Sequence, residues 1–377
     1  MREYYIGLMS GTSIDGIDAV LVAFENGRSL IVESVSIDYD EDTRNLLHSL
    51  CTPQDNEIEK LGRGRVLLAD YEAKACDMLL KKARLDASMI KAIGSHGQTI
   101  RHRPDLGFSL QLDDGARLAA LTGIDTVCDF RSKDLANGGN GAPLTQAFHL
   151  MQFAHHHIFT MVLNLGGISN LTLISDGKTP KILSAYDTGP ANTLMDTAMR
   201  LLKNEPYDKD AKIASSGVVL EEILSRYLAH PYFVRKPPKS TGRELFNADF
   251  IKDELLVCSV KNELIPDFMA TLAELTVLVN VNAIRAALYE YKPLQSRLIL
   301  CGGGAYNPLI LKKITEHLQK NEVSVMRAEE LGVNSKLIEA HAFAYFAYKF
   351  MHREPLYLEE STGAKKPSVL GCLYLKN

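Results

Sequence analysis

The stretch GLMSGTSIDGIDAVL, residues 7–21, joins two apolar segments through a short polar turn. The segments Tyr4–Met9 and Ile17–Phe24 predict two strands of a hairpin. Backbone N–H groups in such a turn can hold phosphate oxygens, and the turn residues are Gly11, Thr12 and Ser13. The turn is not a P-loop, because no Gly-Lys-Ser/Thr follows and two strands flank it. A plain hairpin built from turn-forming residues is the alternative interpretation.

The predicted elements occur in the same order in each half of the chain: three strands, a helix, a strand, a helix and a strand. In the first half they are Tyr4–Met9, Ile17–Phe24, Leu30–Asp38, a helix with an apolar face from Leu61 to Leu79, Ala92–Ser95, Asp114–Thr122 and Asp125–Cys128. In the second half they are Ile158–Leu165, Asn170–Ile174, Ile182–Tyr186, Met269–Leu288, Arg297–Cys301, Pro308–Leu318 and Val323–Met326, followed by a helix at Asn334–Met351. The halves share this order and no evident sequence identity. Two such copies describe the duplicated fold of actin, hexokinase and their relatives.

The length and the repeated order together predict two domains. A chain of 377 residues exceeds one ordinary hydrophobic core. We therefore predict an α/β protein with a duplicated actin-like, ribonuclease H-like ATPase fold, in which two lobes surround a central nucleotide and sugar cleft. The N-terminal lobe is predicted at residues 1–130 with about 352–377, and the C-terminal lobe at residues 131–351.

The composition excludes several classes of function. The net charge is −4, so we expect no general affinity for nucleic acid or an anionic membrane. The apolar stretches are too short to predict a bilayer span. Polar residues interrupt any apolar run within residues 1–20, and this pattern excludes a signal peptide there. Six scattered cysteines without a CxxC pair indicate reduced thiols in the cytoplasm. The run His155–His157 lacks a second ligand cluster, so it predicts a loop rather than a metal site.

Two further glycine-containing segments have the features of phosphate or ligand contacts. NLGGISNLT, residues 164–172, repeats the strand–turn–strand pattern of the first hairpin, with Gly166, Gly167 and Asn170 as candidates. LCGGGAYNP, residues 300–308, takes an apolar strand into a helix through three glycines, which permit close approach of a flat ring or sugar. Its candidates are Gly302, Gly303 and Gly304. A plain hairpin and a flexible loop are the respective alternatives, and the GxGxxG spacing of a dinucleotide site is absent.

Carboxylate, guanidinium and imidazole side chains supply the candidates for chemistry. Asp187 in AYDTGPAN follows an apolar strand, where a carboxylate can act as a general base, although a helix N-cap or turn residue has the same pattern. Arg131 lies in the loop-like segment 128–149, whose size is typical of functional or hinge loops. GSHGQTIRHRP, residues 94–104, offers His96, Gln98 and Thr99 to a polyhydroxylated ligand, and a structural role for His96 is equally compatible. Asp15 and Asp18 could hold Mg²⁺ through water.

Eight segments, taken together and in order, resemble the anhydro-N-acetylmuramic acid kinase family. They are GLMSGTSIDGIDAVL, GSHGQTIRH, DFRSKDLANGGNGAPL, NLGGISNLT, YDTGPAN, KSTGRE (239–244), TLAELT (271–276) and CGGGAYNP. The resemblance implies a peptidoglycan-recycling enzyme of amino-sugar metabolism. It implies that water opens a 1,6-anhydro sugar while the ATP γ-phosphate is transferred to O6, giving N-acetylmuramic acid 6-phosphate and ADP.

The resemblance also assigns roles to individual residues. Asp187 matches the base that activates water, and Glu339, in IEAHAFA, matches a carboxylate at the sugar site. Arg131 and the GSHGQT segment match sugar-facing positions. The family's first ATP-binding loop corresponds in this sequence to Gly11, Thr12, Ser13, Ile14, Asp15, Gly16, Ile17 and Asp18. The implied cofactors are ATP and Mg²⁺, and the implied assembly is a homodimer.

Some positions depart from the family pattern. Ala191 stands where the family has the second glycine of DTGPGN, and we expect its methyl group to narrow the turn beside the base. Differences also occur at Asn140, Thr145, Gln146 and the segment Gln111-Leu112-Asp113. None of these removes a residue assigned to chemistry, so they bear on sugar specificity rather than on reaction class.

Three other functions fit parts of the sequence. A kinase of the same fold could act on a different sugar or acid, and only the sugar-side segments distinguish it. A non-enzymatic nucleotide switch, such as a filament or chaperone, would keep the phosphate turns without needing a sugar-side carboxylate. A sugar hydrolase using Asp187 and Glu339 would leave the phosphate turns without a purpose.

Overall fold

The computed structural model describes residues 2–11, 13–242 and 244–376. Its strands are β1 Glu3–Ser10, β2 Gly16–Glu25, β3 Arg28–Asp38, β4 Ile90–Arg103, β5 Phe108–Leu112, β6 Thr126–Cys128, β7 Phe159–Leu165, β8 Ile168–Ile174, β9 Ile182–Pro190, β10 Ser296–Cys301, β11 Val323–Arg327 and β12 Cys372–Tyr374. Its helices are α1 Glu41–Ser49, α2 Glu57–Ala83, α3 Gly115–Thr122, α4 Ser132–Ala136, α5 Thr145–Phe153, α6 Thr193–Lys203, α7 Glu221–Leu228, α8 Pro231–Val234, α9 Lys252–Val260, α10 Ile265–Tyr291, α11 Pro308–Leu318, α12 Ile338–Met351 and α13 Glu359–Thr362. The chain forms two compact units, unit 1 (Met1–Gln152 with Gly332–Asn377) and unit 2 (Phe153–Leu331).

Each unit contains one mixed sheet, and five strands of the sheet in unit 1 follow the same order as the five strands in unit 2. In unit 1 the order is β12-β6-β4-β1-β2-β3, with β5 pairing to β4. The neighbours β1–β2 and β2–β3 are antiparallel, whereas β1–β4 and β4–β6 are parallel. In unit 2 the order is β11-β10-β7-β8-β9, with the first three strands of the unit again antiparallel and the next two parallel. The predicted duplicated actin-like fold is therefore confirmed.

Helix α12 packs against the sheet of unit 1 with almost no space between the two backbones. A Cβ atom on Gly7 of β1 would lie 1.9 Å from the carbonyl oxygen of Ala340, and one on Gly94 of β4 would lie 2.1 Å from that of Phe343. Glycine is the residue that permits such an approach. The two glycines thus fix the position of α12 and of Glu339 in its first turn.

The core of unit 2 surrounds helix α10. Sixteen of its residues are buried, which include Phe268, Leu272 and Ile284. The segment Asn262–Tyr291 is long and apolar enough to cross a membrane by length and composition, contrary to the expectation that no apolar stretch reaches bilayer length. Its most apolar stretch of 18 residues is 78% buried inside the structure, as is usual for a helix in a protein core.

The boundaries of the observed units differ from those of the predicted lobes at both points where the chain passes from one unit to the other. Residues 131–152 and 332–351 belong to unit 1, whereas we predicted them in the C-terminal lobe. The reason is packing: α12 contacts β1, β2 and β4 of unit 1 extensively. The pattern of a helix shows which face is buried but not which sheet buries it.

Three elements are longer or more regular than predicted. Strand β4 continues through GSHGQTIRHR instead of ending near Ser95, because β1 pairs with it on one side and β5 on the other. Strand β9 continues through Asp187 to Pro190. The segment 128–149, predicted as one long loop, contains α4 and the start of α5.

Candidate active site

Asp187 lies within β9 and is held by three neighbouring backbone and side-chain groups. Its Oδ2 accepts a hydrogen bond from the Thr241 backbone N–H at 3.0 Å. Its own N–H donates to the Lys239 carbonyl oxygen at 3.2 Å, and its carbonyl oxygen accepts from the Tyr232 hydroxyl at 2.7 Å. The alternative that Asp187 caps a helix is wrong, because α6 begins at Thr193. These contacts fix both the strand and the carboxylate.

The surroundings of Asp187 suit a group that accepts a proton near neutral pH. The pKa of Asp187 is raised to about 6, and desolvation by the surrounding protein is the largest cause. The Thr241 N–H and the Lys239 ammonium lower this pKa, and the nearby Glu244 carboxylate raises it. At pH 7 the carboxylate is ionised, and a pKa close to the working pH is the favourable condition for a general base.

Asn170 and Asp187 are opposite residues of the antiparallel pair β8–β9. Asn164 of β7 is in turn opposite Asn170, and it pairs with Cys301 of β10. Opposite residues in antiparallel strands project their side chains from the same face of the sheet. Two amide groups therefore line the same half-buried face as the carboxylate.

A buried polar network supports β8 and β9 from the other face of the sheet. The Thr188 hydroxyl donates to Asn280 Oδ1 at 2.6 Å and lies 2.7 Å from the Ser169 hydroxyl. All three side chains are at most 2% exposed. A buried network whose members are satisfied restricts the local conformation, so Asp187 is next to a rigid segment.

The turn between β7 and β8 is tied to the segment that follows Asp187. The Gly166 carbonyl oxygen accepts from the backbone and side-chain N–H groups of Asn192, at 3.1 and 2.7 Å. The Gly167 carbonyl oxygen accepts from the N–H groups of Ala191 and Thr193. Ala191, which replaces a glycine of the family pattern, is buried in the core of unit 2. Its methyl group therefore fills apolar space.

The three glycines after β10 have different environments. Gly302 has φ +79°, and a Cβ atom there would lie 2.4 Å from Asn164 Oδ1. A Cβ atom on Gly304 would lie 2.8 Å from the Leu165 Cβ atom, whereas Gly303 has open space. The first and third glycines thus allow this turn to pack on the end of β7, and Gly303 is the exposed one of the three.

The first predicted phosphate turn belongs to unit 1. Gly11 accepts a hydrogen bond from the N–H of Ile14, whose φ is +57° and whose side chain is buried. Ser13 and Asp15 are exposed. Ile17 is buried, so its side chain serves the core. Thr12 lies outside the described residues, and the backbone of the turn remains the predicted phosphate contact.

Two other members of this loop belong to β2. A Cβ atom on Gly16 would lie 2.2 Å from the Ile37 carbonyl oxygen, so glycine is needed for the pairing of β2 with β3. Asp18 is half-buried, and its Oδ1 accepts a 2.5 Å hydrogen bond from the Ser36 hydroxyl. Within the described residues, no group of three His, Cys, Asp or Glu side chains is arranged to hold a metal ion.

Arg131 and His96 form a pair in unit 1. The guanidinium of Arg131 donates to His96 Nε2 at 2.8 Å and to the Gly141 carbonyl oxygen at 2.7 Å. Burial and the Arg131 charge lower the pKa of His96 to about 3, so its ring is neutral and Nδ1–H donates to the Gly97 carbonyl oxygen at 2.9 Å. Burial lowers the pKa of Arg131 to about 10, and the Glu339 and Asp134 charges oppose this change.

The match to one protein family extends over almost the entire chain. The family model described as anhydro-N-acetylmuramic acid kinase matches residues 3–376. The chain belongs to the anhydro-N-acetylmuramic acid kinase family. It is 40% identical over 380 residues to the anhydro-N-acetylmuramic acid kinase of Acinetobacter baylyi, covering 99% of both chains. It is 42% identical to those of Vibrio vulnificus and Bordetella pertussis, covering 100% and 98% of this chain and 99% and 95% of theirs.

Glu339, a predicted sugar-site carboxylate of this kinase family, lies in the first turn of α12. It is exposed, but the surrounding protein desolvates it and raises its pKa. The Arg131 charge lowers this pKa, and Asp18 raises it. The three charged groups are therefore close enough to influence one another, although the sequence places them more than 100 residues apart.

Gln98 and Thr99 make contacts within the protein. Gln98 is 1% exposed, and its Oε1 is 2.6 Å from the Ser10 hydroxyl. Thr99 Oγ1 accepts from the Gln111 amide at 3.0 Å. Their roles as sugar ligands remain predictions, and in this structure they join β4 to β1 and β5.

Sequence reasoning missed the residues that position Asp187 and Arg131. Tyr232 and Lys239 hold the backbone of Asp187, and Asp134 holds the loop that carries Gly141. A signal existed for two of them: Lys239 begins the KSTGRE segment, and Asp134 lies in a segment of the family resemblance. Tyr232 contributes to a cluster of aromatic rings and gives no such signal.

Proposed function

We propose that this chain is an ATP-dependent kinase that uses water to open the 1,6-anhydro ring of anhydro-N-acetylmuramic acid and phosphorylates O6. The products are N-acetylmuramic acid 6-phosphate and ADP, which gives the enzyme a role in peptidoglycan recycling. The observation that carries the proposal is the Asp187 carboxylate. It is half-buried, held at Oδ2 by Thr241, and has a pKa of about 6 in a chain of this kinase family.

Four bond changes make up the reaction. The water oxygen bonds to the anomeric carbon while the bond between that carbon and O6 breaks. O6 bonds to the γ-phosphorus while the bond from this phosphorus to the bridging β–γ oxygen breaks. Asp187 accepts the proton of the attacking water and later releases it to solvent. An anhydro sugar has no O6 hydroxyl to deprotonate, so the base must act on water rather than on the phosphate acceptor.

The charge in unit 1 suits an acidic sugar. Arg131 is cationic at neutral pH, and its Nε has no partner among the described residues. Its two other nitrogens are fixed by Gly141 and His96, so the direction of the guanidinium is set before a ligand binds. Preorganised charge of this kind reduces the entropy lost on binding. We assign Arg131, His96 and Glu339 to the sugar, with Gln98 and Thr99 behind them.

The phosphate contacts are assigned to backbone groups and to Mg²⁺. We propose that the turn at residues 11–18, the turn at Gly166–Gly167 with Asn170, and the glycines 302–304 bind ATP. Mg²⁺ would neutralise charge on the phosphates, and it commonly keeps several waters and takes few protein ligands. Asp15 and Asp18 fit such water-mediated contacts, because Asp15 is exposed and Asp18 is half-buried with one oxygen already used by Ser36.

We also propose a cytoplasmic homodimer. All six cysteines are in thiol form, which fits a reducing compartment. The homodimer rests on the family resemblance. Light scattering of the purified protein measures its mass, which is 41.7 kDa for one chain. A mass of one chain at micromolar concentration would contradict the homodimer.

An ADP-release assay tests the proposed activity. With ATP and Mg²⁺ we expect release of ADP on addition of anhydro-N-acetylmuramic acid, and much less with free N-acetylmuramic acid or glucose. Preference for a free hexose would contradict the substrate but retain a sugar kinase. ATP turnover that ignores every sugar would favour a nucleotide switch, and sugar hydrolysis without ADP would favour a hydrolase.

A further inference from the structure

A buried carboxyl group on α2 contacts the strand that carries His96. Glu72 is 2% exposed, and its Oε1 accepts a 2.5 Å hydrogen bond from the Ser95 hydroxyl. Ser95 is 1% exposed, and its Oγ accepts from the Gly97 backbone N–H at 3.1 Å. Neither the predicted chemistry nor the ligand contacts use Glu72. A buried ionisable group outside the assigned site calls for a physical reason, because its burial costs free energy.

These contacts continue to His96 and Arg131, two of the residues that we assign to the sugar. Gly97, whose N–H contacts Ser95, also accepts through its carbonyl oxygen the Nδ1–H of His96. That bond fixes the His96 tautomer, which leaves Nε2 as an acceptor for Arg131. Gly97 has φ +71°, and a Cβ atom there would lie 2.1 Å from the Leu112 carbonyl oxygen. Glycine is therefore required at this point, and the Ser95 hydroxyl accepts a hydrogen bond from its N–H.

We infer that Glu72 is a positioning residue for the sugar site, which it serves by holding Ser95 and the Gly97 backbone so that His96 presents Nε2 to Arg131. This inference rests on the proposed function. Glu72 touches no substrate. It acts through three intervening residues on the direction of a guanidinium that binds an acidic sugar.

The charge state of Glu72 supports this role. The pKa of Glu72 is raised to about 8, chiefly by burial; the Ser95 hydrogen bond lowers this pKa, and the charges of Asp113 and Asp114 raise it. The other groups that face it are the thiols Cys76 and Cys128 and the phenol of Tyr39, all neutral because burial raises their pKa values. No described cation pairs with Glu72, and its Oε2 has no partner among the described residues. The carboxyl group is therefore neutral at pH 7 and gains a buried charge above about pH 8.

Two variants of Glu72 separate positioning from general stability. Glu72→Gln keeps an oxygen acceptor for Ser95 and is neutral at every pH, whereas Glu72→Leu removes the acceptor. Leu79→Ala, on the same helix and buried, removes apolar contacts without touching Ser95. Asp77→Asn removes an exposed carboxylate of α2. The last two are controls for loss of packing and loss of charge.

The test measures KM for the sugar and for ATP from pH 6.5 to 9, a range in which Arg131 keeps its charge. It also records the imidazole ¹⁵N resonances of His96, which are assigned by their loss in His96→Asn. We expect Glu72→Leu to raise the sugar KM by about two- to tenfold with the ATP KM nearly unchanged, as one hydrogen bond would require. It should also shift the His96 resonances. We expect the sugar KM of the wild type to rise above about pH 8, and that of Glu72→Gln to stay flat. Neither control should change the sugar KM.

Two results would overturn the inference. One is a Glu72→Gln variant with the same alkaline rise in sugar KM as the wild type. The other is a folded Glu72→Leu variant with wild-type sugar KM and wild-type His96 resonances. If Glu72→Leu does not fold, the pH profile of Glu72→Gln decides. A wild type that ignores the anhydro sugar contradicts the proposed function instead, and the His96 resonances then still test the link to Glu72.

Discussion

Asn170 of β8 and Asp187 of β9 lie directly opposite each other in the sheet of unit 2. Their side chains project from the same half-buried face, and Thr241 fixes one oxygen of the carboxylate. An amide and an ionised carboxylate on one face provide a hydrogen-bond donor and a proton acceptor side by side. The strand pairing, rather than a flexible loop, therefore sets the position of the proposed base.

Replacing Asp187 by Asn should abolish turnover while leaving binding largely intact. Asn cannot accept the proton of the attacking water, so we expect kcat to fall by about 10²- to 10⁴-fold. Both KM values should stay within a few-fold of the wild type. Because burial raises the Asp187 pKa, ionisation costs stability as pH rises from about 4 to about 6. The Asn variant should therefore melt no lower than the wild type at pH 7, and near-wild-type kcat would remove Asp187 from the mechanism.

The acid limb of the pH profile should follow the Asp187 pKa. Protonation below about pH 6 removes the base, so log(kcat/KM) should fall on the acid side of that value. The Glu244 charge raises the pKa of Asp187, so Glu244→Gln should move the limb to lower pH. Lys239 lowers it, so Lys239→Gln should move the limb to higher pH. Shifts with the opposite signs would show that another group controls the limb.

The glycines after β10 form a matched pair for mutagenesis. Gly302→Ala places a Cβ atom 2.4 Å from Asn164 Oδ1 at a φ of +79°, so we expect a loss of about 1–3 kcal/mol in the free energy of unfolding and a higher KM for ATP. Gly303→Ala enters open space and should change the free energy of unfolding little. Equal effects of the two variants would contradict the assignment of Gly302 to packing on β7.

The buried network behind Asp187 should depend on one hydroxyl group. Thr188→Val keeps the shape of the side chain but leaves Asn280 Oδ1 without its donor, which should cost about 1–3 kcal/mol of stability. Thr188→Ser keeps the hydroxyl and should lose less. Denaturant unfolding measures both variants. A Val variant as stable as the Ser variant would show that the hydrogen bond is replaceable.

The fold could be predicted because the sequence patterns of its strands, helices and turns are local. Parts of the site could not, because they depend on pairing between strands that are far apart in the sequence. The hairpin that contains residues 7–21 and the repeated element order follow from apolar patterning and turn residues. The extension of β4 through GSHGQT did not follow from the sequence, because Gly, Ser and His have little strand preference. Pairing with β1 and β5 imposes it. The sequence also offered Ile14 and Ile17 as ATP contacts, and their side chains lie in the core.

The environment of Asp187 could not be predicted from the local sequence pattern either. Its pKa depends on Thr241, Lys239 and Glu244, which follow it by more than fifty residues. The motif suggested a base or a helix cap, and the start of α6 at Thr193 excludes the cap. The family resemblance supplied the role, and the three-dimensional contacts supply its physical basis.

Mass spectrometry of the product made in oxygen-18 water tests the central claim, that water attacks the sugar while O6 takes the phosphoryl group. With anhydro-N-acetylmuramic acid, ATP and Mg²⁺, we predict one heavy oxygen at the anomeric hydroxyl and an unlabelled phosphate on O6. Heavy oxygen in the phosphate, or a phosphorylated sugar with its anhydro bridge intact, would contradict the claim.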